Sequence, residues 1–232
     1  MPLSRPVTTL FMLMSLDGKI STGDQDILDV DKDFPKIKGV REGLYQYYDL
    51  ERHTDIYSFN TGRVQAKIGI NTRKGSVQKI PVRFILIDNK PHLRASGIEY
   101  FLKRGKMLYI VTTNPRHPAF KIKNPELKIL YYPRRIDFKN LFNRFKKEFG
   151  VKRITLQSGG TLNAVLLREG LIDRISVVVA PILIGGKNTS TLIDGESLHT
   201  LNDLRLVKPL KLQQCKKLKN SYLHLIYKVL NT

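Results

Sequence analysis

The chain has no tryptophan and a single cysteine, Cys215, in 232 residues. One thiol excludes an internal disulfide. No Cys-x-x-Cys or His-x-Glu pattern is present, so deamination through zinc lacks its ligands. The five histidines, His53, His92, His117, His199 and His224, fall at no metal-ligand spacing. Each reads as a surface or internally satisfied residue, and no metal site is expected. No Ser-His-Asp or Gly-x-Ser-x-Gly arrangement appears, which leaves hydrolase chemistry without support. No apolar run approaches the length that crosses a bilayer, so no membrane partner is expected. The opening stretch, MPLSRPVTTLFMLMSLDGK, carries no small-residue cleavage pattern. It reads as a first buried strand of a cytoplasmic protein. Repeats and long linkers are also missing, so one domain over 1–232 is expected.

Acidic residues are scarce: 20 Asp and Glu face 40 Lys and Arg, a formal charge of +20. A nucleic-acid surface is one reading of that excess. The lysines are spread along the chain, however, with no basic tail and no RNP-like aromatic motif. A lysine-rich background, with a positive field that gathers phosphorylated small molecules, is the preferred reading.

The most informative stretch runs from Ile154 to Gly186, ITLQSGGTLNAVLLREGLIDRISVVVAPILIGG. It reads as strand, glycine turn, helix, strand and second glycine turn. Leu162, Val165 and Leu166 sit at i, i+3 and i+4 and are expected on one helix face. Ser158 or Thr161 is expected to cap the helix, with Gly170 left-handed just past its end. Ile175 to Ala180 is a β-branched run of the kind found in buried parallel strands. Unpaired N–H groups at such a helix start attract anions, and glycine lets a phosphate come close. A turn that merely packs helix on strand fits the same residues.

QSGGTLNAVLLREGLIDRISVVVAPILIGGK, together with Met14-Ser15-Leu16-Asp17-Gly18-Lys19 near the start, resembles the C-terminal reductase domain of the riboflavin-biosynthesis deaminase–reductases and their stand-alone relatives. The resemblance covers nearly the whole chain. It implies an α/β, dihydrofolate-reductase-like fold: three layers, a mostly parallel central sheet with helices on both faces, and a C-terminal antiparallel hairpin. It also implies NADPH as cofactor, a homodimer, and reduction of the ribose of a ribosylamino-pyrimidine 5′-phosphate to a ribityl chain. The enzyme type would be a 5-amino-6-(5-phosphoribosylamino)uracil reductase, though the order of deamination and reduction stays open.

Carried over residue by residue, the resemblance puts Asp17 and Lys19 beside the reduced sugar as catalytic candidates. Ser158, Gly159, Gly160, Thr161 and Leu162 would hold the cofactor phosphates, with Asp88 and Asn89 as further cofactor contacts. Gly62 and Val64 fit the family pattern. Arg63 stands where a Thr is usual, and Ala66-Lys67 where an acidic pair would be. Arg63 and Lys67 can instead grip a phosphate as cations. Ile70 and Arg73 would contact the substrate, Arg73 through its phosphate. Gln157 replaces a substrate-facing Glu, losing the charge and adding an NH₂ donor. That departure keeps open a related reductase of another pyrimidine or pterin. A basic nucleic-acid-binding protein without activity is the alternative from another class.

Elsewhere, strands are expected over Thr8–Met14, Pro81–Asp88, Lys106–Val111 and Leu127–Tyr132. The segment Asp55–Asn71 should hold a strand and a glycine turn. An acidic active-site loop is expected over Gly23–Asp33, and a helix over Ile37–Tyr48. Phe138–Phe149 is the clearest helix, with Phe138, Leu141, Phe142, Phe145 and Phe149 on one core face, Asp137 as N-cap and Gly150 past its end. Gly185-Gly186-Lys187 lacks the Walker spacing and reads as a turn bordering the active site. Leu212–Cys215 and Tyr222–Val229 alternate around Lys219-Asn220 as a hairpin.

Overall fold

A computed structural model describes residues 4–231. Residues 1–3, the start of the stretch read for a cleavage pattern, and residue 232 lie outside the described residues. The chain forms two compact units, one built on Asp55–Ser158, the other on Val7–Thr54 and the chain from Gly159 onward.

The first unit is a parallel sheet. Its strands are β2 (Tyr57–Thr61), β3 (Arg83–Ile87), β4 (Met107–Thr112), β5 (Leu127–Tyr131) and β6 (Arg153–Leu156), in the order β5-β4-β3-β2-β6. Every described pair among them is parallel. Helix α5 (Phe138–Phe149) has the expected bounds: Asp137 accepts from Asn140 N, and Gly150 is left-handed at φ 64°. Its buried Leu141, Phe142 and Phe145 make the core face. Phe142 lies 5.6 Å from Phe59, and Phe145 meets Tyr109 edge-on at 5.3 Å. A helix not anticipated, α4 (Ala95–Arg104), buries Ile98, Phe101 and Leu102 against Leu86, Leu108 and Ile110. Its i, i+3, i+4 apolar spacing was visible in the sequence. The glycine turn expected after β2 is instead a short helix, α3 (Gly62–Lys67). Thr61 supplies the side-chain acceptor that starts it.

The second unit contains β1 (Val7–Ser15) and β7 (Arg174–Ala180), paired in parallel. The hairpin β8 (Leu210–Lys217) and β9 (Leu223–Val229) follows, with β9 antiparallel to both β7 and β8. Its core stacks Phe11 on Tyr47 at 5.1 Å and buries Phe34, Val178 and Tyr222. The helix expected over Ile37–Tyr48 forms only as α2 (Tyr45–Glu51), preceded by turns. Gly43 lies in that turn region, where a Cβ would overlap the ring of Tyr222, whose hydroxyl donates to Val40 O at 2.7 Å. The acidic loop after β1 ends in a short helix, α1 (Val30–Asp33), capped by Asp29.

Helix α6 (Gly160–Arg168) shows two departures from expectation. Gly159 occupies the N-cap and no side chain caps the helix, whereas the Ser158 hydroxyl is buried. The buried face is Gly160, Asn163, Ala164 and Leu166, while Val165 is 38% exposed. Leu166 is buried as expected, while Asn163 and Ala164 rather than Leu162 and Val165 complete the buried face. The Asn163 amide is satisfied internally by donating to Leu192 O at 2.9 Å. Gly170 is left-handed as expected, at φ 69°. No helix among the described residues is long and apolar enough to cross a membrane.

Candidate active site

Parallel α/β sheets expose ligand-binding loops at the carboxyl ends of their strands. In the second unit, the chain leaving β1 turns at Gly18, which is left-handed at φ 78°. The Asp17 carboxylate accepts from the Ser15 hydroxyl, from Gly185 N at 2.6 Å and from Ile184 N at 3.1 Å. The Ser15 hydroxyl, then the N–H groups of Gly185 and Ile184, lower the Asp17 pKa to about 2. These bonds outweigh the opposing effect of partial desolvation. Lys19 grips the same turn by its carbonyls: Nζ donates to Gly186 O at 2.7 Å and Thr189 O at 3.0 Å. Gly185 and Gly186 are both left-handed, at φ 72° and 81°, so the turn needs glycine. An anion and a cation two residues apart thus clamp the second glycine turn from both sides.

The two glycines before α6 do different work. A Cβ on Gly160 would overlap Thr191 O and the Asp194 carboxylate, so packing demands glycine there. Asp194 N donates to Gly160 O at 3.0 Å, which fixes the contact. At Gly159 a Cβ would meet nothing within 4 Å. The open approach to the uncapped first turn is therefore over Gly159. Thr161 is exposed there, and Leu162 is half-buried.

In the first unit, Gly62 is buried against Asp88, whose carboxyl group a Cβ would overlap. Asp88 is almost fully buried, and four donors take its two oxygens. They are His92 N and Nδ1 at 3.1 and 3.0 Å, Leu93 N at 3.0 Å and His117 Nε2 at 3.0 Å. His117 Nδ1 accepts from Ala119 N, which leaves Nε2 as its donor. The carboxylate thus braces the loop after β3 rather than facing outward. Neighbouring Asn89 accepts from Thr113 N at 3.0 Å.

Arg63 and Lys67 stand four residues apart on α3 and share a helix side. Arg73 is exposed and donates to the Tyr100 hydroxyl at 3.2 Å, while Ile70 is buried. Between them sits a residue the sequence reading passed over. Asn71 donates to His92 O at 2.8 Å and accepts from Arg94 N at 2.9 Å, tying the Ile70–Arg73 segment to the start of α4. A lone Asn before a Thr gives no signal for such a role. Gln157, just past β6, accepts from the Ser58 hydroxyl at 3.2 Å. No group of three or more possible metal ligands occurs among the described residues.

Helices that start at glycine just past parallel strands, Gly62 after β2 and Gly160 after β6, define an α/β fold of the class that carries its ligand loops at strand ends. The chain belongs to the RibD C-terminal domain family, whose profile matches residues 6–223. Among curated proteins, it is 27% identical over 206 residues to a 2,5-diamino-6-ribosylamino-4(3H)-pyrimidinone 5′-phosphate reductase from Methanothermobacter thermautotrophicus, covering 86% of this chain and 88% of that one. The protein of the same description from Saccharomyces cerevisiae is 27% identical, covering 79% of this chain and 75% of its own. Among solved structures, Acinetobacter baumannii RibD matches with a TM-score of 0.69 at 15% identity, over 98% of this chain. The chain spans only 59% of that longer protein. The S. cerevisiae riboflavin biosynthesis reductase Rib7 matches with a TM-score of 0.63 at 19% identity, covering 99% of this chain and 92% of its own. The fold is therefore that of the RibD reductases.

Proposed function

We propose that the chain, acting as one reductase domain over 1–232, is a cytoplasmic NADPH-dependent reductase of the riboflavin pathway. Its substrate is a 2,5-diamino-6-ribosylamino-4(3H)-pyrimidinone 5′-phosphate, whose ribose becomes the ribityl chain. The observation that carries this reading is similarity to reductases of that description along most of the chain. Those names favour reduction before deamination, with the uracil-type substrate as the second to test.

A nicotinamide supplies the hydride, so the protein's part is to bind, orient and exclude water. The uncapped start of α6 fits a phosphate through free first-turn N–H groups over the open side of Gly159. Ser158, Gly160, Thr161 and Leu162 shape that turn. On the first unit, Gly62 at the start of α3 and the braced loop of Asp88 and Asn89 receive the nucleotide, and Arg63 and Lys67 supply cations for the 2′-phosphate. Arg73 holds the substrate phosphate beside Ile70, and Gln157 reads the pyrimidine edge. Asp17 stays ionised at neutral pH, so it orients the sugar and the glycine turn rather than giving up a proton. Lys19 works beside it as the cation.

Titration with NADPH and NADH tests the cofactor. Binding selective for NADPH, weakened by Lys67→Glu, is the expected result. No binding of either nucleotide would overturn the reading.

A further inference from the structure

The excess positive charge is not shared evenly between the two units. The cations are spread along the sequence, but the acids are not. Asp55–Ser158 holds more than half of the chain's 40 Lys and Arg and fewer than a third of its 20 Asp and Glu. Most of those few acids are already engaged. Asp55 accepts from Arg153, Glu126 from Lys79 and Glu148 from Arg144. Asp88 is enclosed by its two histidines, and Asp137 caps α5. The first unit therefore carries nearly all of the net positive field.

One side of that unit adds a feature that charge alone does not require. Phe120, on the 3-10 turn Pro118–Lys121, and Tyr131, at the end of β5, meet edge-on with ring centroids 6.2 Å apart. Both stay open to water, at 46% and 41% exposure. Their mutual contact covers only one ring face. Because β5 is the outermost strand of its sheet, the pair stands at a sheet edge. Between residues 116 and 136 it is flanked in sequence by six exposed cations, Arg116, Lys121, Lys123, Lys128, Arg134 and Arg135. Glu126 is the one acid in that stretch, and Lys79 takes it at 2.8 Å. A single exposed aromatic is ordinary. A small phosphate has no use for the rings, and an apolar partner has none for the cations. An unpaired polynucleotide strand uses both, with its phosphates on cations and its bases on aromatic or guanidinium planes. A duplex keeps its base faces stacked away from such rings.

We propose that the β5 edge of the first unit binds single-stranded nucleic acid. Bases stack on Phe120 and Tyr131, and the flanking lysines and arginines hold the phosphates. None of these residues belongs to the nucleotide or substrate site assigned above, so the inference stands or fails apart from the reductase reading.

Fluorescence anisotropy of a labelled mixed-sequence RNA strand, about 12 nucleotides long, titrated with the nuclease-treated full chain tests it. Affinity should fall with salt, with a log–log slope of about −0.7 for each phosphate engaged. Phe120→Ala with Tyr131→Ala changes no charge and should weaken binding at least about tenfold. Circular dichroism and NADPH affinity should stay unchanged in that variant, since both rings are exposed. Arg134→Gln with Arg135→Gln should flatten the salt slope by about 1.4. Failure to bind at low salt, binding indifferent to the loss of both rings, or a slope untouched by the two arginine changes would each overturn the proposal. So would tighter binding to a duplex of the same length, or displacement of the strand by NADPH. Binding to phosphatidylserine vesicles without binding to the strand would overturn it too, and make the patch a membrane contact.

Discussion

Asp194 lies against Gly160: its N–H donates to the Gly160 carbonyl at 3.0 Å, and its carboxylate fills the place of a Gly160 side chain. One residue earlier, the space over Gly159 is open. Two adjacent glycines in one motif therefore stand in different surroundings, a packed one at Gly160 and an open one at Gly159, where the proposed reading puts the phosphate.

That division makes a paired prediction. Gly160→Ala should cost about 1–3 kcal/mol of stability through overpacking, read as a lowered denaturation midpoint. Gly159→Asp should leave the fold intact or gain roughly a few tenths of a kcal/mol, because Asp caps a helix slightly better than glycine. The same change should weaken NADPH at least about tenfold, since its charge opposes the phosphate. Gly159→Asp with unaltered NADPH affinity would contradict the assignment.

The ionised state of Asp17 yields a prediction about pH. Its folded pKa of about 2 lies below the ordinary value of 3.8, so the group is charged throughout the neutral range. The stability it contributes is full above 3.8 and is lost as the pH falls toward 2. Any acidic limb in the rate profile between about pH 5 and 7 then belongs to another group. Asp17→Asn should lower kcat while leaving that limb in place. Its disappearance in the variant would show that Asp17 titrates there.

The parts legible in the sequence were those governed by local periodicity. The Phe138–Phe149 helix came with its cap and its terminal glycine because all its signals lie within fifteen or so residues of one another. The buried strands announced themselves as β-branched runs. What stayed hidden depends on partners far along the chain. Asn163 reads as polar surface until Leu192 O is placed beside its amide. Asp88 reads as a ligand-facing carboxylate until His92 and His117 are brought to it. The need for glycine at Gly43 appears only once the ring of Tyr222 is placed beside it. The two motifs that signalled the family are legible because each glycine turn keeps its residues adjacent in sequence.

A buried pair in the second unit gives a stability prediction. Ser176 Oγ and His224 Nε2 are 2.8 Å apart, with both residues buried. Burial first, then the Lys216 charge opposite it on β8, push the His224 pKa down from 6.5. The neutral ring is thus the folded form. Its contribution is complete above the unfolded value near 6.5 and declines as the pH falls below it. Thermal melts from pH 7.5 to 5 should show a decline that His224→Gln reduces. An equally steep decline in the variant would place the effect elsewhere.

The hairpin turn offers a gain of stability. Asn220 and Ser221 are both left-handed, at φ 55° and 63°, in the two central positions between Lys219 and Tyr222. Such a turn favours Asn followed by Gly. Ser221→Gly should relieve the Cβ strain and stabilise the protein by about 0.5–1 kcal/mol. A fall in the melting temperature would contradict this.

The most direct test of the central claim is turnover of 2,5-diamino-6-ribosylamino-4(3H)-pyrimidinone 5′-phosphate with NADPH, followed by loss of the reduced nicotinamide and by product mass. The account predicts stoichiometric oxidation of NADPH and a product two hydrogens heavier, with the uracil analogue turned over more slowly. Oxidation of NADPH with dihydropterins but with neither pyrimidine would contradict it and move the chain to another substrate on the same fold.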